Sequence, residues 1–131
     1  MPVLDASAAL EILLKTPLGA GAAVRILHRN VALHAPHLLD IEFVHALRRL
    51  TRLGALQEED AHRALDDLAD LRLTRHPHAE LLPRIWELRN SLSAYDAAYV
   101  ALAEALDMPL MTCDEKLTRA HGHRAEIVLL K

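Results

Sequence analysis

The chain has 131 residues with one cysteine, Cys113; that length suits a single domain, 1–131, with its own hydrophobic core, and it excludes an intrachain disulfide framework or a cysteine-based zinc site. A formal net charge of −3 argues against a broad electrostatic binder of nucleic acid. Just over half of the residues are apolar, mainly Leu and Ala, and no apolar run reaches the length of a membrane span, so a helix-rich cytoplasmic protein with no membrane partner is expected.

Residues 1–4 form a short apolar run that ends at Asp5, the pattern of a buried strand. Residues 6–15 follow as a helix, with Leu10, Leu13 and Leu14 at helical spacing and Pro17 beyond its end. Gly19 and Gly21 mark a turn before a second helix over 22–30, and 31–36 reads as a second strand. Asp40 caps a helix that runs to Leu53 and is closed by Gly54. The next helix, 58–70, opens on three acidic residues, which the helix dipole favours. A weak strand at 71–74 precedes a helix over 79–90 with Pro83 in its first turn. Ser93 opens a helix to 106; 109–112 is a strand, 114–120 a short helix, and 127–130 a last strand. This alternation predicts a mostly parallel α/β sheet of about five strands, covered on both faces. In such sheets ligands gather at the carboxyl ends of the strands, near the topological switch point.

Four acids stand where this fold turns from a strand or loop into a helix: Asp5, Glu42, Asp96 and Asp114. Each has a structural explanation taken singly. Asp5 caps the first helix; Glu42 lies in the first turn of the helix opened by Asp40; Ser93 to Asp96 resembles a capping box; Thr112 to Glu115 fits that pattern better. Capping does not explain why acids follow two different strand ends and open two further helices. Carboxylates drawn together raise one another's pKa, so a cluster calls for a cation, and oxygen ligands suit Mg²⁺ or Mn²⁺.

The motifs V-L-D-A-S-A-A-L-E (3–11), E-F-V-H-A-L-R-R (42–49), L-L-P-R-I-W-E-L-R (81–89), L-S-A-Y-D-A-A-Y-V-A-L-A (92–103) and P-L-M-T-C-D-E-K-L (109–117) follow one another along nearly the whole chain. In their order and spacing the chain resembles a PIN-domain ribonuclease of the VapC type, the toxin of a toxin–antitoxin pair. The resemblance implies a three-layer α/β/α domain and an acidic metal-binding quartet of Asp5, Glu42, Asp96 and Asp114. It implies auxiliary roles for Ser7 and Thr112, whose hydroxyls orient a carboxylate or a bound water. His45 departs from the family, which often has Asn there, and puts hydrogen bonding around the metal or substrate contact in question. The activity implied is Mg²⁺-dependent (or Mn²⁺-dependent) hydrolysis of RNA, with a homodimer and a cognate antitoxin as partners. An inactive scaffold used as a binding module and a small metal-dependent DNA nuclease are the alternatives.

Arg48, Arg49 and Arg89 are candidates for holding the RNA backbone, with Arg52 and Arg119 behind them. Among nine histidines, the pairs His34/His37, His76/His78 and His121/His123 have zinc-like spacing, yet none has a matching second half nearby in sequence. Trp86 and Tyr99 read as core or interface residues. Tyr95, beside Asp96, reads as a packing residue with base stacking as the alternative.

Overall fold

The structure, a computed structural model, describes residues 1–130. Five strands form one sheet in the order β3-β2-β1-β4-β5. They are β1 (Val3–Leu4), β2 (Leu33–Pro36), β3 (Leu73–His76), β4 (Leu110–Thr112) and β5 (Ile127–Leu129). Every pairing is parallel, and parallel strands need crossovers, here supplied by helices. The helices are α1 (Ala6–Leu13), α2 (Pro17–His28), α3 (Leu38–Arg52), α4 (Glu58–Asp70), α5 (Leu82–Glu87), α6 (Ala94–Leu106) and α7 (Glu115–Arg119). The result is the three-layer α/β/α arrangement. No helix among the described residues is long and apolar enough to cross a membrane.

The central strand β1 is only two residues long, and both Val3 and Leu4 have no exposed surface. A strand covered on both faces has no reason to alternate polar and apolar residues. Along α6, Ala97 to Ala103 are buried without a break, because α6 packs on β1, β2 and β4 while α5 packs on α6. Four alanines in that stretch let helix and sheet approach closely. On the opposite side, α1 packs on α2, α3 and α4.

Four features differ from the sequence reading. The second helix begins at Pro17, not at 22: Thr16 accepts a hydrogen bond from Gly19 N, Pro17 takes the first turn, and both glycines lie inside the helix. Gly19 is there for space, since a Cβ on it would stand 2.2 Å from Glu11 O at the end of α1. Asp40 is not a cap. It lies in the first turn of α3 and takes two hydrogen bonds from Arg75 on β3, at 2.6 and 3.0 Å, tying the edge strand to the helix. The third strand runs two residues later than expected, because its register is set by β2, Leu33 opposite Leu73 and Pro36 opposite His76. The helix over 79–90 is in fact a 3-10 turn, Ala79–Leu81, followed by the short α5 with Pro83 in its first turn.

The chain passes from β1 to β2 and β3 on one side, then crosses back to β4 and β5 on the other. The switch point therefore lies between β1 and β4. Val3 is opposite Leu110 and Leu4 opposite Met111, so Asp5 comes level with Thr112 as both strands end. This is the crevice in which an open α/β sheet binds its ligand.

Candidate active site

Asp5 is the first residue past β1 and the N-cap of α1. Only 6% of its surface is exposed, yet three hydrogen bonds reach its carboxylate. Ser7 Oγ donates to Oδ1 at 2.7 Å and Ala8 N to the same atom at 2.9 Å. Thr112 Oγ1 donates to Oδ2 at 2.5 Å from across the switch point. The capping explanation is thus correct and incomplete: Ala8 N is the helix cap, while the Thr112 contact joins two strand ends.

Thr112 has no exposed surface. Its hydroxyl accepts Asp114 N at 3.0 Å while donating to Asp5. Ser7 Oγ likewise accepts Cys113 N at 3.0 Å. Two hydroxyls thus bind the β4–α7 turn to the Asp5 carboxylate. This corrects the expected capping box from Thr112 to Glu115. The N-cap of α7 is Asp114, which accepts Lys116 N, because the Thr112 side chain is committed to Asp5.

Asp96 sits in the first turn of α6, and its N–H is capped by Ser93 Oγ at 3.2 Å. Glu42 projects from the second turn of α3, not the first, because the helix opens at Leu38 rather than after Asp40, and it accepts a hydrogen bond from Tyr99 OH at 2.5 Å. Four separate elements therefore bring one acid each to the same edge of the sheet.

The charges of these acids act on one another. Burial pushes the Asp5 pKa above the usual carboxylate range; its three hydrogen bonds work against that, and Asp114 adds to the rise. Glu42 is raised first by burial and then by the charges of Asp96 and Asp5, with the Tyr99 hydrogen bond and His45 opposing. Asp96 is raised by burial, then by Asp114 and Asp5, with Ser93 and Lys116 opposing. Every acid of the set either feels or exerts this mutual repulsion.

The donors are all hard oxygens, and their shared negative charge fits a divalent cation. Among the described residues no three acidic, histidine or cysteine side chains already form a ligand set around one point.

The other sequence candidates are placed as follows. His45 is exposed and close enough to Glu42 to lower its pKa. Arg48 and Arg49 are exposed on α3; Arg49, seven residues from Glu42, returns to the same helix face. Arg89 lies 4.4 Å over the Trp86 ring and donates to Trp86 O, so it is engaged at α5. Trp86 and Tyr95 are exposed, whereas Tyr99 is buried. The histidine pairs find a partner that spacing concealed: His34 Nδ1 and His76 Nε2 meet at 2.9 Å across β2 and β3.

Two residues near the acids were missed by the sequence reading. Tyr99 follows Asp96 by three positions on α6, so helical geometry alone turns it to the same side. Lys116, on α7 just past Asp114, is the cation that opposes the raised pKa of Asp96. Its place two residues after an acid at a strand end was the available signal.

Comparison with known proteins identifies the family and the fold. The family described as PIN domain matches residues 3–122. Ribonuclease VapC12 of Mycobacterium tuberculosis is 40% identical over 130 residues, 99% of either chain. Among solved structures, PAE2754 from Pyrobaculum aerophilum superposes with a TM-score of 0.70 at 29% identity, covering 95% of this chain and 81% of that one. VapBC2 from Rickettsia felis, bound to a DNA fragment from their promoter, matches at TM-score 0.68 and 17% identity, over 95% and 96% of the two chains; that likeness concerns the fold alone.

Proposed function

The chain belongs to the PIN-domain family and is of the VapC type, and from that premise we propose that it is a metal-dependent endoribonuclease acting as the toxin of a toxin–antitoxin pair. The observation that carries this reading is the buried Asp5 at the β1/β4 switch point, hydrogen-bonded by Ser7, Ala8 and Thr112 and coupled electrostatically to the other acids. Similarity to a relative named as a ribonuclease supports RNA as the substrate.

Asp5 and Asp96 are assigned as the central ligands of Mg²⁺ or Mn²⁺, with Glu42 and Asp114 completing the site directly or through water. A divalent cation here supplies a water of lowered pKa and charge stabilisation at phosphorus. The protein's own part is to hold the acids. Ser7 and Thr112 lock the Asp5 carboxylate between two strand ends, so its position does not depend on a flexible side chain. The N-terminus of α6 faces the same edge and reduces the cost of gathering charge. Lys116 provides positive charge near Asp96 for the RNA backbone, and Arg48 and Arg49 extend a basic surface further along α3.

The partner reading rests on an apolar cleft of about 390 Å³ lined by Leu38 and Ile41 of α3, Leu82 and Ile85 of α5, and Tyr95 and Ala98 of α6. Ile41 is 70% exposed and Trp86 67%, and an apolar patch of this kind marks a protein interface. Tyr95 of the cleft and Asp96 of the acidic set are consecutive residues in the first turn of α6. A cognate antitoxin and a second copy of this chain are the partners assigned to these helices.

The test is cleavage of total cellular RNA by the purified chain with Mg²⁺, Mn²⁺ or EDTA, beside Asp5→Asn and Asp96→Asn and beside DNA of matched sequence. Cleavage of RNA that needs metal and is lost in both folded variants is expected. Cleavage of DNA alone would make it a DNA nuclease. Folded protein with no cleavage under either metal would leave a binding scaffold.

A further inference from the structure

Tyr99 is 2% exposed and lies in the middle of α6, among residues that pack on the sheet. A phenylalanine would bury the same ring. The hydroxyl is what needs explaining, since a buried O–H costs free energy unless it is paired. It is paired with an active-site acid rather than with backbone: it donates to Glu42 Oε1 on α3.

Glu42 needs such a partner. The acids that share its surroundings, Asp96 and Asp5, repel it. A glutamate has three rotatable bonds, and His45 lies one turn further along α3 at an exposed position. Left free, the Glu42 carboxylate would swing away from the other acids toward solvent and His45. Asp5 has no such freedom, being held by Ser7, Ala8 and Thr112. For Glu42 the Tyr99 hydroxyl is the corresponding restraint.

We propose that Tyr99 is a positioning residue of this active site, whose buried hydroxyl holds Glu42 against the repulsion of Asp5 and Asp96 so that it is in place before a cation binds. The inference rests on the metal-dependent reading above. It adds a fifth residue to the acidic set, one that acts through Glu42 and touches neither ion nor RNA.

The experiment measures Mn²⁺ binding to the metal-free chain by electron paramagnetic resonance, without RNA, for wild type, Tyr99→Phe, Glu42→Ala and the double variant. Loss of a group that orients a metal ligand costs about 10–100-fold in affinity or activity. Tyr99→Phe is expected to weaken Mn²⁺ by an amount in that range, lower kcat with little change in the KM for RNA, and add nothing once Glu42 is already Ala. Wild-type affinity in Tyr99→Phe overturns the proposal and leaves the function reading intact. An equal loss in the Glu42→Ala background overturns it too, by showing that Tyr99 acts through general packing. A wild-type chain that binds no Mn²⁺ overturns the metal reading and this inference together. A second measurement does not depend on any variant folding. The chain has two tyrosines, so 3-fluorotyrosine labelling gives two ¹⁹F signals, and that of Tyr99 is expected to shift on Mg²⁺ addition. A Tyr99 signal that stays unchanged at saturating Mg²⁺, while the ion still supports RNA cleavage, overturns the proposal and leaves the metal reading intact.

Discussion

Asp5 serves two ends with one carboxylate. Its Oδ1 caps α1 through Ala8 N, and its Oδ2 takes the Thr112 hydroxyl from the neighbouring strand end. Thr112→Val keeps the shape of the buried side chain and removes that hydrogen bond. We expect the variant to fold and to lose about 10–100-fold in cleavage rate or Mg²⁺ affinity, as read in a metal titration of RNA cleavage. The raised carboxylates make a further prediction at this scale. A carboxylate whose pKa is raised on folding costs stability when ionised, and the cost is relieved as pH falls through the raised value. In EDTA, Asp96→Asn is therefore expected to melt at a higher temperature than wild type near neutral pH, with the gap narrowing on acidification toward the ordinary carboxylate range. Saturating Mg²⁺ should reverse the order at neutral pH, because only the wild type binds the ion well. Thermal melts across pH with and without Mg²⁺ check both parts; a gap that widens on acidification would contradict the repulsion described here.

Among the elements, the junction of α1 with α2 shows how one missing Cβ decides a helix start. Gly19 and Gly21 look alike in sequence and both lie in α2. A Cβ on Gly19 would stand 2.2 Å from Glu11 O, whereas one on Gly21 meets nothing within 4 Å. Gly19→Ala is expected to lose roughly 1–3 kcal/mol or more through overpacking against backbone. Gly21→Ala should gain about 0.5–1 kcal/mol by removing glycine's entropy from a helix interior. Urea unfolding of the pair measures both, and equal effects would refute the packing argument. Another restraint joins α5, α6 and the segment before β5. Arg84 binds Glu104 at 2.8 and 3.0 Å and also donates to Gly122 O, while Arg124 N donates to Glu104. Glu104 is nearly fully buried there, so its charge is compensated rather than stranded.

Across the whole molecule, α3, α5 and α6 share an apolar cleft, whose Ile41, Leu82 and Tyr95 keep about half or more of their surface exposed. Ile41→Lys places a charge in the middle of that face. We expect it to leave the isolated fold intact and to convert a dimer into monomer, or to weaken antitoxin capture at least about tenfold, a change of 1.4 kcal/mol or more. Light scattering after size exclusion, and titration with a cognate antitoxin, give the two readouts. Unchanged mass and unchanged affinity together would remove α3 from both interfaces.

The alternation of strands and helices, the parallel sheet, and the identity of the four acids were legible along the chain, because they depend on local periodicity and on which residues end a strand or begin a helix. Its motif order also carried the family. Tertiary structure decided the rest. The true start of α2 depended on a contact with Glu11, the shift of β3 on its register with β2, and the role of Asp40 on Arg75. Thr112 binds Asp5 from 107 positions away, and Tyr99 binds Glu42 from 57. Spacing along a chain reports neighbours within one helix or strand; hydrogen bonds between elements appear only when the sheet order and the packing of α3 against α6 bring distant side chains to the same edge.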